Sequence, residues 1–519
     1  MKYQSFIGLE VHIHLLTRTK AFCGCKAAFG DEPNTNVCPV CMGYPGVLPA
    51  LNAEAVRMAA LVARALNCEL SARTWFERKQ YFYPDMPKNY QISQFASPVG
   101  VGGYVDIPVA AEGDGLAGDG SGPAGSGPAV SGGRTKRIRI KECHLEEDAG
   151  KMIHAGNVSL VDYNRAGTSL LEIVTEPDFE TGAEAETYIQ QLRRTVRYLG
   201  VCDGNMEEGS LRCDANVSIN LRGAGLGPKV EIKNLNSSRF VRLGLEYEIA
   251  RQIALAEKGG VVRQETRLWN ENRDQTETMR SKEDSHDYRF FPEPDLPAFE
   301  PDAAFISGVE AGLVELPFDR ERRLALEYGL GEEQASALCE ERAFADYYES
   351  AVSAARALGV DGAVAAERVA IWMAGDLRRV LNRDGLGTAD VGSLRVTSVR
   401  LAAIVALVAA GRISAKIARQ VFDAVLAEGS EPADVVAARG WEMVVDPAAI
   451  AAAVEAALAA EPAAFSEAAA ALARGDAARV KPLSAYLVGK SIAASGGKAE
   501  PGLVKAALEA RLAAVSRAL

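Results

Sequence analysis

The first residues of the chain alternate between apolar and polar side chains. The stretch from Ile7 to Leu15 reads IGLEVHIHL, with an apolar residue at every second position and Glu10, His12 and His14 between them. A period of two is typical of a β-strand with one face in the core and one polar face. We therefore predict a strand here. Two of only five histidines lie on its polar face, beside a glutamate, which makes that face the first candidate for a functional site.

Short alternating runs such as YVDIPV and NVSINL continue along the first part of the chain, together with many Gly, Pro and Asn residues. They predict a strand-rich domain with long loops over residues 1–295. Within it, residues 110–133 are rich in Gly, Ser and Pro and have no apolar periodicity, which predicts a flexible surface loop. The proline-dense residues 290–301 predict an extended connector at the end of this domain.

Beyond the connector the composition shifts to Ala, Leu, Glu and Arg at helical spacing. We predict a helical domain over residues 296–410 and a helical tail domain over residues 411–519. Four apolar residues of the tail recur every four positions on one helical stripe, namely Ile413, Ile417, Val421 and Val425. The predicted fold class is multidomain α+β, in which a β-rich N-terminal domain precedes an all-helical domain and a helical tail.

Length and composition are those of a globular protein with several domains. A chain of 519 residues, 48% hydrophobic and 24% charged, is too long for one ordinary core and is not disordered. No apolar run approaches the ~18 residues of a membrane helix. The N-terminal residues lack the apolar core of a signal peptide. We therefore expect a cytoplasmic protein that is not in a membrane.

A net charge of −12 excludes a global positive field that would attract nucleic acid, but a local basic patch is sufficient for RNA binding. Residues 476–519 contain seven basic and three acidic residues, a local net charge of +4. Three lysines of this segment are candidate RNA contacts: Lys481, Lys490 and Lys498. A solvated helical tail is the alternative interpretation.

Four of the nine cysteines have the spacing of metal ligands: Cys23, Cys25, Cys38 and Cys41. Two close pairs on tight turns can direct four thiolates at one zinc ion. Paired disulfides are the weaker alternative in a chain expected in the cytosol. Four sulfur ligands leave no open coordination position, so we predict a structural zinc in a zinc-binding element of residues 22–42.

Carboxylates and one imidazole suggest a second metal site. Glu172 lies inside the apolar run LLEIV, and a bare carboxylate buried there would need a cation or a polar partner. Together with Glu10, His12 and one of the adjacent pair Glu146 and Glu147, it could form an oxygen-rich site that favours Mg²⁺ or Mn²⁺ over zinc. Separate salt bridges in a polar core are the alternative.

Further polar stretches combine cations with amides and tyrosines, a composition that suits phosphate or nucleotide recognition. The candidate residues in these stretches are Lys79, Lys88, Arg212, Asp214 and Lys233. Each of them alone is equally consistent with a capped turn or a surface salt bridge. The sequence has no G-x-x-x-x-G-K-[ST] loop, so ATP would require another cradle, and it has no Gly-Gly-Ser-Ser amidase signature.

Long motifs distributed from one end of the chain to the other carry a resemblance to a known family. These motifs are GLEVH, NVCPVCMGYPGVLPALN, RKQYFYPDMPKNYQISQF, HLEEDAGK, VDYNRAG, LLEIVTEPD, MEEGSLRCDANVSI, EIKNLNSSRFV, DYRFFPEPDLP and GRISAKIARQVF. With them the chain resembles the GatB family, which forms part of the tRNA-dependent amidotransferases known as GatCAB. The resemblance implies a β-rich cradle domain with the kinase and transamidase site, then a helical domain and a YqeY-like helical tail that binds tRNA.

The resemblance also implies a reaction. ATP would phosphorylate the side-chain carboxylate of Glu-tRNA(Gln) or Asp-tRNA(Asn), and ammonia would then displace phosphate to give Gln-tRNA(Gln) or Asn-tRNA(Asn). Such a chain is an ATP-dependent carbon–nitrogen ligase that works in a heterotrimer, in which a glutaminase A subunit supplies ammonia and a small C subunit holds the other two together. The sequence leaves open which of the two misacylated tRNAs is the substrate.

By motif, the resemblance assigns a catalytic Mg²⁺ to His12, Glu147 and Glu172, with Glu10 adjacent, and zinc to the four cysteines. The residues it places in the ATP pocket are Lys79, Lys88 and Tyr90. Residue 14 differs from the family pattern, so His14 is not expected to be a ligand. Two alternatives from other classes are a non-catalytic RNA-binding scaffold and a self-sufficient metal-dependent hydrolase.

Overall fold

A computed structural model of the chain describes residues 2–109, 134–281, 288–444 and 446–517. The predicted flexible loop, residues 110–133, lies outside the described residues. The fold class is α+β, as predicted, because strands dominate the first part of the chain and helices the second. The chain divides into two compact units, one ending at Arg322 and one beginning at Arg323.

The strands belong to the first unit. They are β1 (Tyr3–His14), β2 (Glu69–Leu70), β3 (Glu77–Gln80), β4 (Tyr90–Ser93), β5 (Gly100–Pro108), β6 (Thr135–Glu147), β7 (Lys151–Ala155), β8 (Val158–Asp162), β9 (Ser169–Thr175), β10 (Leu211–Leu221), β11 (Val230–Lys233), β12 (Glu265–Asn270), β13 (Gln275–Ser281) and β14 (Phe291–Pro292).

The helices of the first unit are α1 (Ala53–Ala65), α2 (Gly182–Tyr198), α3 (Ser238–Glu257) and α4 (Ala303–Ala311), and α5 (Pro317–Tyr328) contains the boundary between the units. Three of these helices begin at polar caps. The side chains of Asn52, Thr181 and Ser237 accept hydrogen bonds from backbone N–H groups in the first turns of α1, α2 and α3. Each cap satisfies a donor that has no partner within its helix.

Strand β1, predicted from its alternation, is confirmed and lies inside the largest sheet. The order of that sheet is β13-β12-β11-β10-β1-β9-β6-β5-β2. β1 pairs antiparallel with both neighbours, so that His12 lies opposite Arg212 on β10 and opposite Glu172 on β9. A smaller sheet has the order β14-β3-β4, and β7 and β8 form a separate hairpin.

The two faces of β1 differ as its sequence predicts. Leu9, Val11 and Ile13 are at most 1% exposed and belong to one apolar core, to which α1, α2 and α3 also contribute. Burying each such side chain contributes about 1.5–3 kcal/mol, which holds the register of the strand. The helices therefore cover the apolar face, and the polar side chains project from the opposite face of the sheet.

The second unit is helical. Its α-helices are α6 (Glu332–Leu338), α7 (Arg342–Ala357), α8 (Gly362–Trp372), α9 (Arg378–Arg383), α10 (Ser398–Ala409), α11 (Ala415–Glu428), α12 (Pro432–Ala438), α13 (Pro447–Ala460), α14 (Pro462–Ala473), α15 (Ala477–Ala494) and α16 (Pro501–Ser516). A π-helical turn, Met373–Leu377, joins α8 to α9, and a 3₁₀-helix spans Thr388–Ser393.

Two apolar clusters lie in this unit, one between Leu324 and Val436 and one between Ile450 and Leu512. The predicted stripe of the tail is buried, but it packs in the first cluster with residues that precede position 411. The boundaries at 295 and 410 stay predictions. No single helix among the described residues is long and apolar enough to cross a membrane; α13 and α14 reach that length and composition only together, across a bend of 102°.

Candidate functional site

The polar face of the large sheet brings together side chains that are far apart in the sequence. Arg212, His12, Glu172 and His144 occupy one row across β10, β1, β9 and β6, because each pair lies directly opposite in an antiparallel register. Directly paired residues share a face and lie close enough for their side chains to interact. The pairing of β1 with two strands thus builds a polar site from three separate motifs.

An acidic cluster with one imidazole lies on this face. His12, Glu146 and Glu172 each offer one ligand atom, and these atoms all lie within 4.8 Å of one another. The Nε2 atom of His12 is 3.6 Å from Oε1 of Glu172, and Ser93 Oγ donates a 2.9 Å hydrogen bond to Oε2 of Glu146. Two carboxylates and one imidazole are a donor set that fits Mg²⁺ or Mn²⁺. We call these three residues the acidic cluster.

Burial and mutual repulsion act on the acidic cluster. Burial, followed by the charge of Glu146, raises the pKa of Glu172 to about 7. Burial also raises the pKa of Glu146. Burial and then the charge of Arg212 lower the pKa of His12 to about 3, so its imidazole is neutral and able to act as a ligand. The described groups do not fully compensate the two carboxylates, which is the condition under which a divalent cation is attracted.

Glu147 lies apart from the acidic cluster, which corrects the ligand set taken from the resemblance. Its carboxylate binds Lys88 and accepts a 2.9 Å hydrogen bond from the backbone N–H of Ile92. Successive residues of a strand point to opposite faces. His144 faces Glu172 across the sheet, so Glu146, two residues further on, shares that face and Glu147 does not. The alternation from His144 onward was a signal that could have selected Glu146 from the sequence.

The three residues assigned to an ATP pocket separate in the structure. The charge of Lys79 acts on both carboxylates of the acidic cluster and opposes the rise that burial causes in their pKa values. Lys88 and Tyr90 instead line a neighbouring cavity of about 190 Å³, together with Arg78 and Glu147. Lys79 is therefore the member of this group that faces the acidic cluster.

The cations and the carboxylate predicted on the neighbouring strands form two ion pairs at the edge of the same face. Lys233 Nζ is 2.6 Å from Oδ2 of Asp214, and Arg212 Nη2 is 2.8 Å from Oδ2 of Asp148. Glu10 accepts a 2.8 Å hydrogen bond from the side-chain amide of Asn216. The Nε atom of Arg212 is buried and has no hydrogen-bond partner among the described residues.

Asp148 is a residue that sequence reasoning did not single out. It is 5% exposed, and His14 Nε2 lies 2.6 Å from the same oxygen that Arg212 contacts. Burial alone would raise the pKa of Asp148, but Arg212, His14 and Arg165 outweigh burial and hold it well below its usual range. His14 thus contacts Asp148 and is not part of the acidic cluster, in line with the expectation that it is not a ligand.

The four predicted zinc ligands converge. One sulfur atom from each of Cys23, Cys25, Cys38 and Cys41 lies within 4.8 Å of the other three, and all four are free thiols. The sulfurs of Cys38 and Cys41 are 3.9 Å apart. Tetrahedral zinc with Zn–S distances of about 2.3 Å requires sulfur atoms about 3.8 Å apart, so this separation fits zinc and is too long for a disulfide.

One of these four sulfurs is favoured as a thiolate. The hydrogen bond from the Cys23 thiol, against the opposing effect of burial, lowers the pKa of Cys41 to about 4. The backbone N–H of Cys38 and the charge of Lys20 act in the same direction. The pKa of Cys23, as the donor, is raised in turn. A site that already favours one thiolate fits a metal that binds thiolates.

The tail lysines lie on or after α15. Lys481 and Lys490 are exposed, and Lys490 pairs with Glu461 at 2.6 Å. Lys498 is half-buried, and its backbone carbonyl accepts a hydrogen bond from Val444. Contact of these lysines with RNA stays a prediction.

Comparison with known proteins identifies the family. Residues 5–307 match the family described as the GatB/GatE catalytic domain. The chain belongs to the GatB family. Residues 347–512 match a second family description, the GatB domain that carries the YqeY name. The resemblance stated from the motifs is therefore confirmed.

Relatives align with the chain along its whole length. A protein of Moorella thermoacetica is 44% identical over 99% of this chain and 100% of its own length. Relatives from Solidesulfovibrio magneticus and Rhizobium leguminosarum are 45% and 43% identical over 98% of this chain, and over 99% and 95% of their own lengths. Each of the three relatives is named as the GatB component of an aspartyl/glutamyl-tRNA(Asn/Gln) amidotransferase.

Proposed function

We propose that this chain is the GatB component of a tRNA-dependent amidotransferase and that its acidic cluster is the centre of an ATP-dependent transamidation site. The substrates are misacylated Glu-tRNA(Gln), Asp-tRNA(Asn) or both. The observation that carries the proposal is the convergence of His12, Glu146 and Glu172 beside Lys79 and Arg212, in a chain of this family.

The chemistry accounts for these residue types. A carboxylate is a poor electrophile at neutral pH, so the side chain of the attached Glu or Asp is first phosphorylated by ATP. Ammonia then attacks the carbonyl carbon of the acyl phosphate, the C–O bond to phosphate breaks and an amide remains. Phosphoryl transfer of this kind depends on positioning and on neutralising charge, not on a protein nucleophile.

The acidic cluster supplies the ligands for Mg²⁺, which when bound would neutralise charge on the transferred phosphoryl group. His12, held neutral by burial and by Arg212, offers an imidazole nitrogen, and Glu146 and Glu172 offer one oxygen each. Ser93 fixes the orientation of Glu146 through its 2.9 Å hydrogen bond. Glu10, held by Asn216, is adjacent on the same strand face.

Cations beside the cluster suit the phosphates of ATP. Asp148 orients the guanidinium of Arg212, whose buried Nε atom remains available as a donor. The charge of Lys79 acts on the cluster itself. Lys233, paired with Asp214, lies at the edge of the same face. We propose phosphate contacts for Arg212 and Lys79, with the pair of Lys233 and Asp214 setting the electrostatic boundary of the site, and Lys88 and Tyr90 supporting it from the adjoining cavity.

The four cysteines would hold a structural zinc. All four coordination positions would be occupied by sulfur, so no position is left for substrate or water. The zinc-binding element would then fix the segment that follows β1 and lines the cavity containing Lys88.

The remaining requirements of the reaction fall to partners. The sequence has no Gly-Gly-Ser-Ser amidase signature, so ammonia would come from a glutaminase A subunit, with a small C subunit completing a heterotrimer in the cytoplasm. The basic tail, with Lys481, Lys490 and Lys498, would contact tRNA(Gln) or tRNA(Asn) through phosphate neutralisation.

Amidation by the reconstituted heterotrimer tests the proposal. With ammonium chloride as the nitrogen source, the variants His12→Ala, Glu146→Gln and Glu172→Gln are expected to lose amidation of misacylated tRNA, while glutaminase activity and tRNA binding persist. Glu207→Gln, an exposed position outside the site, is the matched control. Normal amidation by all three variants would instead favour the non-catalytic RNA-binding scaffold.

A further inference from the structure

Lys20 is a fully buried cation with an unusual set of partners. Its side chain is 0% exposed and is among the largest fully buried side chains described. The ammonium Nζ donates to the backbone carbonyl of Tyr163 at 3.2 Å and to Sγ of Cys41 at 3.7 Å. Within the described part of the chain, no carboxylate forms an ion pair with Lys20. Its nearest candidate for a negative charge is therefore the Cys41 sulfur.

A buried ammonium needs a counter-charge. A carbonyl oxygen provides a hydrogen bond but no net charge, and an isolated buried charge is strongly unfavourable. A neutral thiol at Cys41 would leave the ammonium uncompensated, whereas a thiolate would compensate it. Four thiolates around one Zn²⁺ carry a net charge of −2, so the zinc-loaded element would have an excess of negative charge beside Lys20.

The backbone also makes room for this lysine. A Cβ atom placed on Gly167 would lie 3.4 Å from Cδ of Lys20 and 3.5 Å from Cβ of Cys41, and the φ angle of Gly167 is +87°. A side chain at this position would be strained and would press on both the lysine stem and the cysteine. The Gly167 carbonyl in turn accepts a 2.8 Å hydrogen bond from the N–H of Ala21, next to Lys20.

We propose that Lys20 is the counter-charge of the zinc site: its ammonium compensates the thiolate charge of the zinc-loaded element and fastens Cys41 to the segment of Tyr163. This inference rests on the proposed zinc. Lys20 acts through Cys41 and touches no substrate, so it is a positioning residue for the metal. Hydrogen-bonded partners of this kind typically change metal affinity by roughly 10- to 100-fold.

Zinc affinity measured on the full chain, by competition with a chromogenic chelator, tests the inference. Lys20→Met is expected to weaken zinc binding by roughly 10- to 100-fold. Lys26→Met is the matched control, because Lys26 belongs to the same element but its side chain is 60% exposed and pairs with Asp31. Zinc binding by Lys20→Met at wild-type affinity would overturn the inference, whereas a wild-type chain without zinc would instead refute the zinc site itself.

A second variant and a second measurement separate charge from structure. Lys20→Gln retains N–H donors but has no charge, so it is expected to weaken zinc binding as Lys20→Met does; wild-type affinity in this variant would overturn the role of charge. Thermal stability is then compared with and without zinc. Both variants should be destabilised when zinc is bound but not when it is removed, because removing an uncompensated buried charge costs nothing in the metal-free chain. Equal destabilisation in both states would show a purely structural lysine and overturn the inference.

Discussion

Replacing the adjacent residues Glu146 and Glu147 by glutamine, one at a time, should change the stability of the first unit in opposite directions. Glu147 forms a buried ion pair with Lys88, and the two side chains are 2% and 7% exposed. Breaking such a pair costs about 3–5 kcal/mol. We expect about 3 kcal/mol for Glu147→Gln, because the amide oxygen can still accept from Lys88.

Glu146→Gln removes repulsion instead. Ligand atoms of Glu146 and Glu172 lie within 4.8 Å of each other. At that separation and an effective dielectric constant of about 20, two full charges repel by about 3 kcal/mol. Lys79 offsets part of this repulsion, so we expect a gain of about 1 kcal/mol at pH 8, where Glu172 is ionised.

These free energies correspond to measurable changes in melting temperature. An unfolding entropy of about 2.1 cal/mol/K per residue over the residues up to Arg322 gives about 1.5 °C per kcal/mol. Glu147→Gln should therefore melt about 4–5 °C below the wild type, and Glu146→Gln about 1–2 °C above it.

The assay is thermal unfolding of the full chain with zinc retained, with and without added Mg²⁺. Mg²⁺ should raise the melting temperature of the wild type and of Glu147→Gln, but much less that of Glu146→Gln, which lacks a ligand. The exposed Glu207→Gln is the control. If Glu146→Gln responds to Mg²⁺ fully and Glu147→Gln does not, Glu147 is the ligand and the assignment from strand alternation is refuted.

Three further predictions concern other parts of the molecule. Burial and Glu146 raise the pKa of Glu172 to about 7, so the folded chain binds more protons than the unfolded chain between about pH 4.5 and 7, and its metal-free stability should fall across that range as pH rises; melting curves of Glu172→Gln should lack this component, and an unchanged pH profile would contradict the shift. Cys38→Ser should lower both zinc content and melting temperature, and elemental analysis that still finds one zinc per chain would rule out the four-thiolate site. Replacing Lys481, Lys490 and Lys498 together by alanine should weaken tRNA binding and reduce the slope of log K against log salt by about 2, which a salt titration measures; an unchanged slope would leave the tail as a solvated helical segment.

The features that were predictable from sequence are those set by short-range periodicity. The alternation from Ile7 to Leu15 specified β1 and both of its faces, and the cysteine spacing specified a four-sulfur cluster. In the same way, the four-residue repeat from Ile413 to Val425 specified a buried helical stripe. For the strand and the helix, one local rule, a period of two or of about 3.6, determines which side chains face the core.

The features that were missed depend on pairing between distant segments. Nothing near Lys88 in the sequence indicates that its carboxylate partner is Glu147, and nothing near Arg212 points to Asp148. These pairs follow from strand register and from where β4 crosses the end of β6, which the hydrophobic pattern of one segment does not contain. Glu146 was the exception, because counting two residues from His144 would have identified its face.

The double pairing of β1 also limits how its gene can vary. A substitution on β1 alters one side chain, but inserting or deleting one codon would shift the strand by one residue and exchange its faces, turning Glu10 and His12 toward the apolar core. A two-codon change would preserve the faces but move His12 away from Glu172 by about 7 Å along the sheet. The length of this strand, more than most of its individual residues, is therefore expected to be fixed in any active descendant of this chain.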